Sequence, residues 1–278
     1  MSVPELITPG ALIAIYAKPG HPRVPALVDE LQQWLRARGY RPRLDAPASP
    51  PPALAIALGG DGTVLHVARQ LAAAPTPVLA VHLGSFGFLN ETRVEDLYPS
   101  LERILAGQGR IQRRARLHVR LERQGTTAGE FEALNEAVVS KSGLARLLWL
   151  DLEVNGSALS RYRADGVLVA TPTGSTGYNL SAGGSIVHPD VDALLITPIC
   201  PNALSERPLL VPASAAITVT LAAGEPAFLT VDGQHGAPLA AGDRVVCTQS
   251  VHPFFCVSVE PRLRFSPYAR PARADTPR

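Results

Sequence analysis

A short apolar run that leads directly into a glycine-rich turn constrains this chain more than any other feature. Residues 53–58 read ALAIAL, and Gly59, Gly60, Asp61 and Gly62 follow at once. Such a run, ending in such a turn, predicts a buried strand of a parallel sheet followed by a helix. Three glycines in four positions are costly to order, so either the turn is very tight or a charged group lies close to its backbone.

The first hundred residues continue this alternation of strands and helices. Apolar runs at 11–17 and 77–83 predict buried strands, and apolar residues at helical spacing predict helices over 24–40 and 63–74. Strands that alternate with helices are typical of an open α/β sheet. We therefore expect an α/β domain over residues 1–110.

The second half of the chain has a different pattern. Short runs such as 150–154 alternate apolar and polar residues, and Asn155-Gly156 is a strong signal of a two-residue hairpin turn. We expect an antiparallel, β-rich domain over residues 111–262, followed by a loosely ordered tail rich in Pro and Arg at 263–278.

The bulk composition excludes several classes of protein. The net charge is only +2 over 278 residues, so no overall charge favours nucleic acid or an anionic membrane. The three cysteines form no CxxC pair, which argues against a disulfide framework or a zinc cluster. No segment reads as a signal peptide or a transmembrane helix, so we expect a soluble, cytoplasmic protein.

The glycine turn has two interpretations. In an α/β sheet, the end of a strand and the start of the next helix form an anion site, so Gly59, Gly60, Gly62 and Thr63 are candidate phosphate ligands. Asp61 would repel a phosphate unless it binds Mg²⁺ or accepts a proton during phosphoryl transfer. The alternative is that Asp61 only caps the helix. Neither the Walker pattern nor GxGxxG is present, which disfavours P-loop NTPases and dinucleotide dehydrogenases.

A second polar segment, PTGSTGYNLSAGG, follows the predicted strand 166–171. Its hydroxyls and glycines are suited to hydrogen bonding with a polar ligand, and Tyr178 is suited to stacking on a base or a nicotinamide ring. The alternative is a turn and a capped helix that begins near Ser175 or Thr176, with Tyr178 in the core.

Asn135 and Glu136 interrupt a strand-like run at 132–141. An amide beside a carboxylate suits recognition of adenine or of ribose hydroxyls. A solvent-facing pair on an edge strand is an equally good interpretation from these residues alone.

Three further polar residues have open roles. His66 lies five residues after Asp61 on the predicted helix and either faces the mouth of the turn or packs outward. Arg146 and Arg163 are ordinary surface residues unless they lie near the cleft, where they would bind phosphate.

Together and in this order, these motifs resemble those of NAD kinases over about residues 53–240. GGDGT alone is shared with diacylglycerol and sphingosine kinases, whereas TPTGSTGYNLSAGG is much more specific. The resemblance rests on GGDGT at 59–63, LGSFGFLNE at 83–91, LNEAVV at 134–139, DGVLVATPTGSTGYNLSAGG at 165–184 and ITPICPNALSERPLLVP at 196–212.

The resemblance implies a Rossmann-like α/β domain, a β-sandwich-like domain, and transfer of the γ-phosphate of ATP to the adenosine-ribose 2′-hydroxyl of NAD with Mg²⁺. It implies that Asp61 accepts the hydroxyl proton and that Asn135 and Glu136 hold the adenosine portion of NAD. It also implies that Asp165 binds the nicotinamide end. The remaining NAD contacts implied are Gly62, His66, Arg146, Arg163, Thr176, Gly177, Tyr178, Asn179, Leu180, Ser181 and Gln234.

The same resemblance implies a homodimer or homotetramer, with polyphosphate as an alternative donor. The composition predicts no nucleic-acid or membrane partner. Two rival functions stay open at this point. A lipid kinase of the GGDGT class needs an apolar pocket for an acyl chain, whereas the downstream segment is rich in hydroxyls. A sensor that binds NAD(P) without turnover would keep the pocket and differ only in activity.

Overall fold

The structure is a computed structural model that describes residues 7–84, 87–89, 92–143, 146–223 and 226–259. Within these ranges, no helix is both long enough and apolar enough to span a membrane.

The α-helices are Val24–Ala37 (α1), Asp61–Gln70 (α2), Leu97–Arg103 (α3) and Tyr178–Ser181 (α4). The strands are Leu12–Ala17 (β1), Arg41–Leu44 (β2), Leu54–Leu58 (β3), Pro77–His82 (β4), Thr92–Arg93 (β5), Arg110–Arg114 (β6), Leu117–Arg123 (β7), Thr126–Ala133 (β8), Glu136–Lys141 (β9), Leu148–Val154 (β10), Ser157–Ala164 (β11), Gly166–Ala170 (β12), Ala193–Ile199 (β13), Leu209–Pro212 (β14), Ile217–Ala223 (β15), Ala227–Val231 (β16), His235–Leu239 (β17), Arg244–Gln249 (β18) and Phe254–Ser258 (β19).

The first sheet is built mainly from parallel strands with the order β2-β1-β3-β4-β19-β6, and β5 pairs with β4. All five residues of β3 are buried, because helices cover both faces of the sheet. α1 packs Leu31 and Leu35 against one face, and α2 packs Val64 and Val67 against the other. The expected open α/β sheet is confirmed.

The chain returns to this first sheet at its last described strand. β19 lies between β4 and β6, parallel to β4 and antiparallel to β6. The expected bounds of 1–110 and 111–262 place β19 in the second domain, whereas its hydrogen bonds join it to the first sheet. The expected tail at 263–278 lies outside the described residues.

The remaining strands form two six-stranded antiparallel sheets, ordered β11-β10-β15-β18-β7-β8 and β14-β13-β12-β9-β16-β17. Inward side chains of both sheets, such as Leu150 and Val169, share one buried core. The expected β-sandwich-like half is confirmed. Asn155 and Gly156 join β10 to β11 with φ values of 52° and 76°, as a type I′ turn requires.

A buried leucine packs the sandwich against the first sheet close to the predicted site. Leu134 lies between β8 and β9 and belongs to the same buried cluster as Val64 and Ala68 of α2 and Phe254 of β19. The junction between β8 and β9 is therefore anchored beside the helix that follows the glycine turn.

Candidate active site

The glycine turn lies between the end of β3 and the start of α2, and its three glycines differ in the space that a side chain would have. A Cβ on Gly59 would stand 2.1 Å from the Thr63 hydroxyl oxygen and 3.2 Å from the Lys18 Cβ, so close packing excludes a side chain. A Cβ on Gly60 or Gly62 would meet no described atom within 4 Å. The packing of the turn itself requires only the first of the three, and the other two leave open space above the backbone.

That open space is a cavity of about 480 Å³ at the carboxyl ends of β1 and β3. Three of the four predicted phosphate ligands, Gly60, Gly62 and Thr63, line it, whereas Gly59 does not. His66 also lines the cavity, so it lies at the mouth of the turn and does not pack outward. The other lining residues are Tyr16, Ala17, Lys18, Pro19 and Asp45.

Lys18 is a residue that the sequence analysis missed. It directly follows β1, so its ammonium group belongs to the edge where anions bind in such sheets. The available signal was its rarity, because Lys18 and Lys141 are the only lysines in the sequence.

His66 is held by a neighbour on its own helix. Its Nδ1 lies 3.0 Å from Nη2 of Arg69. Burial, followed by the charge of Arg69, lowers the pKa of His66 below its ordinary value. The ring is therefore mainly neutral at physiological pH, and it is suited to hydrogen bonding in the cavity.

Asp61 does not act as a helix cap. The residue at the cap position of α2 is Gly60, and no side chain there makes a capping hydrogen bond. Instead, the Asp61 carboxylate accepts hydrogen bonds from the backbone N–H groups of Phe88 at 3.0 Å and of Leu89 at 3.1 Å. These bonds fix the orientation of the carboxylate beside the cavity.

Glu136 lies in the interior of a sheet and Asn135 directly precedes its strand, so the edge-strand interpretation is wrong. β9 begins at Glu136 and lies between β12 and β16. The Glu136 side chain is buried, with only 6% of the residue exposed. Among the described residues, Oε2 of Glu136 and Oδ1 of Asn135 are buried and have no hydrogen-bond partner. Buried polar atoms without partners are rare in proteins, and these two are suited to hydrogen bonding with a ligand.

The environment of Glu136 favours its neutral form. Burial, followed by the charge of Asp232, raises its pKa to about 8, although the backbone N–H of Tyr178 donates to the carboxyl and opposes this shift. At neutral pH the group is thus mainly a carboxylic acid, which can donate as well as accept a hydrogen bond.

The second polar segment packs directly on this pair. A Cβ on Gly174 would stand 2.2 Å from the backbone oxygen of Asn135. A Cβ on Gly177 would stand 3.2 Å from Oε2 of Glu136 and 3.3 Å from Nδ2 of Asn135. The structure therefore brings these two predicted motifs together.

The side chains of residues 176–181 differ in their exposure to solvent. Tyr178 is 44% exposed, so the interpretation that places it in the core is wrong. Thr176 and Leu180 are half-buried and Ser181 is exposed. Asn179 is wholly buried, and its amide donates to the backbone oxygens of Ser175 and Ser185 and accepts from the Thr197 hydroxyl. Asn179 thus has an internal role, and its predicted contact with NAD stays a prediction.

Asp165 lies at the opposite end of β12 from Glu136. Ala170 pairs with Glu136, whereas Gly166, next to Asp165, pairs with Ser140. Asp165 is five residues from Ala170, so at about 3.4 Å per residue the backbone positions of Asp165 and Glu136 lie roughly 17 Å apart along the strand. Asp165 forms an ion pair of 2.6 Å with Lys141.

The two predicted arginines do not join the cluster at the glycine turn. The guanidinium of Arg163 lies 5.5 Å from the centre of the exposed Trp149 ring, on the neighbouring strand β10. Arg146 is exposed, just before β10. Their predicted contacts with NAD stay predictions.

Gln234 connects the two halves of the site. Its Nε2 donates to the backbone oxygen of Gly62 at 2.9 Å, although 172 residues separate them. Gln234 lies in the turn between β16 and β17, next to β9 in the sheet. The glycine turn therefore contacts the turn after β16, and β16 pairs with β9, which begins at Glu136.

Both halves of the chain match models of one protein family. Residues 50–109 match the family model of the ATP-NAD kinase N-terminal domain, and residues 134–259 match that of the ATP-NAD kinase C-terminal domain. An NAD kinase of Koribacter versatilis is 42% identical over 257 residues, which cover 86% of this chain and 90% of the relative. An NAD kinase of Geobacter sulfurreducens is 41% identical, with the same shares covered.

Solved structures also match. Yeast NADH kinase in complex with NADH has a TM-score of 0.80 and 29% identity, over 90% of this chain and 84% of the other. An NAD kinase from Archaeoglobus fulgidus in complex with ATP has a TM-score of 0.74 and 26% identity, over 91% and 95%. Since both halves match the same family in sequence and in fold, the chain belongs to the NAD kinase family.

Proposed function

We propose that this NAD kinase transfers the γ-phosphate of ATP to the adenosine-ribose 2′-hydroxyl of NAD, with Asp61 as the proton acceptor. A bond forms between the 2′-oxygen and the γ-phosphorus, and the bond from that phosphorus to the β,γ-bridging oxygen breaks. The hydroxyl proton passes to Asp61 and then to solvent, and the products are NADP and ADP. The observation that carries this proposal is the fixed Asp61 carboxylate beside a cavity lined by the glycine turn.

The donor phosphates belong in the cavity at the carboxyl ends of β1 and β3. Gly60 and Gly62 leave room there for close approach to the backbone, and the N-terminus of α2 favours negative charge. Lys18 adds a positive charge at the same edge. Phosphoryl transfer depends mainly on such positioning and charge neutralisation.

Magnesium fits this site as a partner of the donor phosphates. The described residues contain no group of three or more His, Cys, Asp or Glu side chains that could hold a metal. Mg²⁺ commonly needs only one or two carboxylates in addition to substrate phosphates. Asp45, which lines the cavity, and Asp61, which lies between two of its lining glycines, are the carboxylates available. When bound, Mg²⁺ would neutralise charge on the transferring phosphate.

The acceptor NAD belongs on the other side of Asp61. The unpartnered oxygens of Asn135 and Glu136 suit the polar edges of an adenosine, and the exposed Tyr178 ring suits stacking. Asp165 would contact the nicotinamide end, and Arg146, just before β10, and Arg163, on β11, would make further contacts with NAD. The complexes of the relatives support both ligands, because the yeast enzyme holds NADH and the archaeal enzyme holds ATP.

The test is NADP formation by the purified protein with NAD, ATP and Mg²⁺, beside Asp61→Asn. We expect the variant to lose about two to four orders of magnitude in kcat, which is typical of a general base, while the Kd for NAD changes much less. Asp29→Asn, which makes the same change on an exposed residue of α1, should keep full activity. Equal turnover in wild type and Asp61→Asn would remove Asp61 from the mechanism.

The same assay separates the rival functions. Phosphorylation of diacylglycerol or a sphingoid base instead of NAD would indicate a lipid kinase. NAD binding with no product from ATP or polyphosphate, using NAD or NADH, would indicate a sensor. The expected homodimer or homotetramer and the cytoplasmic location stay predictions.

A further inference from the structure

The turn between β16 and β17 contains a carboxylate that no motif singled out. Asp232 and Gly233 have φ values of 51° and 64°, and the Gln234 N–H donates to the Val231 oxygen at 3.0 Å, so the chain reverses tightly here. Only Gln234 in this turn was assigned a role from the sequence. Within the described part of the chain, Asp232 makes more hydrogen bonds than Gln234 does.

Asp232 holds the backbone on which the Asn135–Glu136 pair is mounted. Its Oδ2 accepts from the Leu134 N–H at 2.7 Å, and its Oδ1 accepts from the N–H groups of Asn135 at 2.8 Å and Glu136 at 3.1 Å. The Asp232 N–H donates in return to the Glu136 oxygen at 3.0 Å. Four hydrogen bonds from one residue thus fix three successive residues.

A buried cation faces the same carboxylate. Arg116 is only 2% exposed, and its guanidinium lies 5.4 Å from the ring of Phe254 in β19. Burial lowers the pKa of Arg116 to about 10, and the charges of Glu132 and then Asp232 oppose that shift. Asp232 therefore lies where the sandwich meets the α/β unit.

The same turn reaches the glycine turn. Two residues after Asp232, Gln234 donates to the Gly62 oxygen. Because only Gly233 separates Asp232 from Gln234, a displacement of Asp232 also affects the residue that makes this bond. The two ends of this link are the residues proposed to bind NAD and the residues that flank Asp61.

We propose that Asp232 is a positioning residue that sets the Asn135–Glu136 pair in register with the glycine turn and Asp61. The inference rests on the proposed function, and it makes Asp232 act through the backbone of 134–136 and through Gln234 rather than by contact with substrate. A purely structural residue would contribute to folding alone.

The test compares Asp232→Asn with Asp243→Asn by steady-state kinetics and thermal unfolding. A carboxamide has only one acceptor oxygen, so at least one of the three N–H groups loses its partner. Asp243 is a matched control, because it is also buried, accepts from the Ala240 N–H at 2.8 Å and pairs with Arg123 at 2.7 Å, at the start of β18. If Asp232→Asn does not fold, Asp232→Glu, which keeps the charge opposite Arg116 and moves the oxygens, carries the same comparison.

We expect the Asp232 variant to raise KM for NAD about tenfold or more, with KM for ATP changed less than about twofold. The Asp243 variant should lower the melting temperature and leave both KM values unchanged. Equal losses of stability with unchanged KM for NAD in both variants would overturn the proposal. Failure of the proposed function is distinct, because the wild-type protein would then form no NADP.

Discussion

The Oδ1 atom of Asp61 accepts a hydrogen bond from the backbone N–H of Leu89 at 3.1 Å, although 28 residues separate the two. The neighbouring N–H of Phe88 binds Oδ2 in the same way. A carboxylate has about four acceptor positions, so these two bonds orient it and are compatible with a further bond to a substrate hydroxyl. The orientation of Asp61 therefore depends on the path of residues 87–89.

Gly87→Ala should lower activity by displacing Asp61. A Cβ at this position would stand 2.0 Å from Oδ1 of Asp61, so the carboxylate or the segment must move. We expect kcat to fall at least about tenfold, because small displacements of catalytic groups have large effects on rate. Gly84→Ala is the control, because a Cβ there meets no described atom within 4 Å. Equal kcat values for the two variants would contradict this role of residues 87–89.

Lys18→Met should weaken the donor side of the site selectively. Lys18 lines the cavity assigned to the phosphates of ATP. Loss of its positive charge should raise KM for ATP about tenfold, since hydrogen bonds to charged groups contribute more than neutral ones. KM for NAD should stay nearly constant. Arg36→Met removes a charge from the last turn of α1 and serves as the control. A similar rise in both variants would indicate a general charge effect.

The glycines of the turn should separate stability from activity. Gly60→Ala adds a methyl group to open space, so the melting temperature should be unchanged while KM for ATP rises severalfold through contact with the donor. Gly59→Ala forces a Cβ against the Thr63 side chain and should cost about 1–3 kcal/mol of stability. Thermal unfolding and steady-state kinetics on both variants check this contrast. Loss of folding in Gly60→Ala would show that the turn itself requires that glycine.

Glu136→Gln should reduce the loss of stability with rising pH. The pKa of Glu136 is raised from 4.5 in the unfolded chain to about 8 in the folded protein. Between these values the unfolded state binds fewer protons, so the free energy of unfolding falls as pH rises and the contribution of this group is lost by about pH 8.

The glutamine variant has no proton to lose in this window. Between pH 5 and pH 8 the wild type should therefore lose on the order of 2 kcal/mol more than Glu136→Gln. Urea unfolding of both proteins at several pH values measures this difference. Parallel pH curves would mean that Glu136 ionises normally in the folded state.

The local pattern of the chain predicted the buried strands of the first sheet and the two helices α1 and α2, and it failed where the signal was weak. β1, β3 and β4 are apolar runs, and their burial follows from composition alone. β2 reads RPRL and is mostly exposed at the edge of the first sheet, so neither an apolar run nor alternation marks it.

The site was predictable as a set of motifs and not as an arrangement. Asp61 and Glu136 were identified in sequence, but the alternatives for each were decided by partners far along the chain, at residues 87–89 and in strands β12 and β16. Asp232 was not identified, because its role consists of hydrogen bonds to residues 96 to 98 positions away. Such contacts have no local signature.

The position of β19 has a consequence for the order of folding. In the described part of the chain, β6 pairs in the first sheet only with β19, and β19 separates β6 from β4. The N-terminal half emerges first from the ribosome. Its sheet therefore lacks the strand between β4 and β6 until residues 254–258 have been synthesised. A strand inserted this late makes the N-terminal unit dependent on the last part of the fold, so the two halves of the enzyme mature together rather than one after the other.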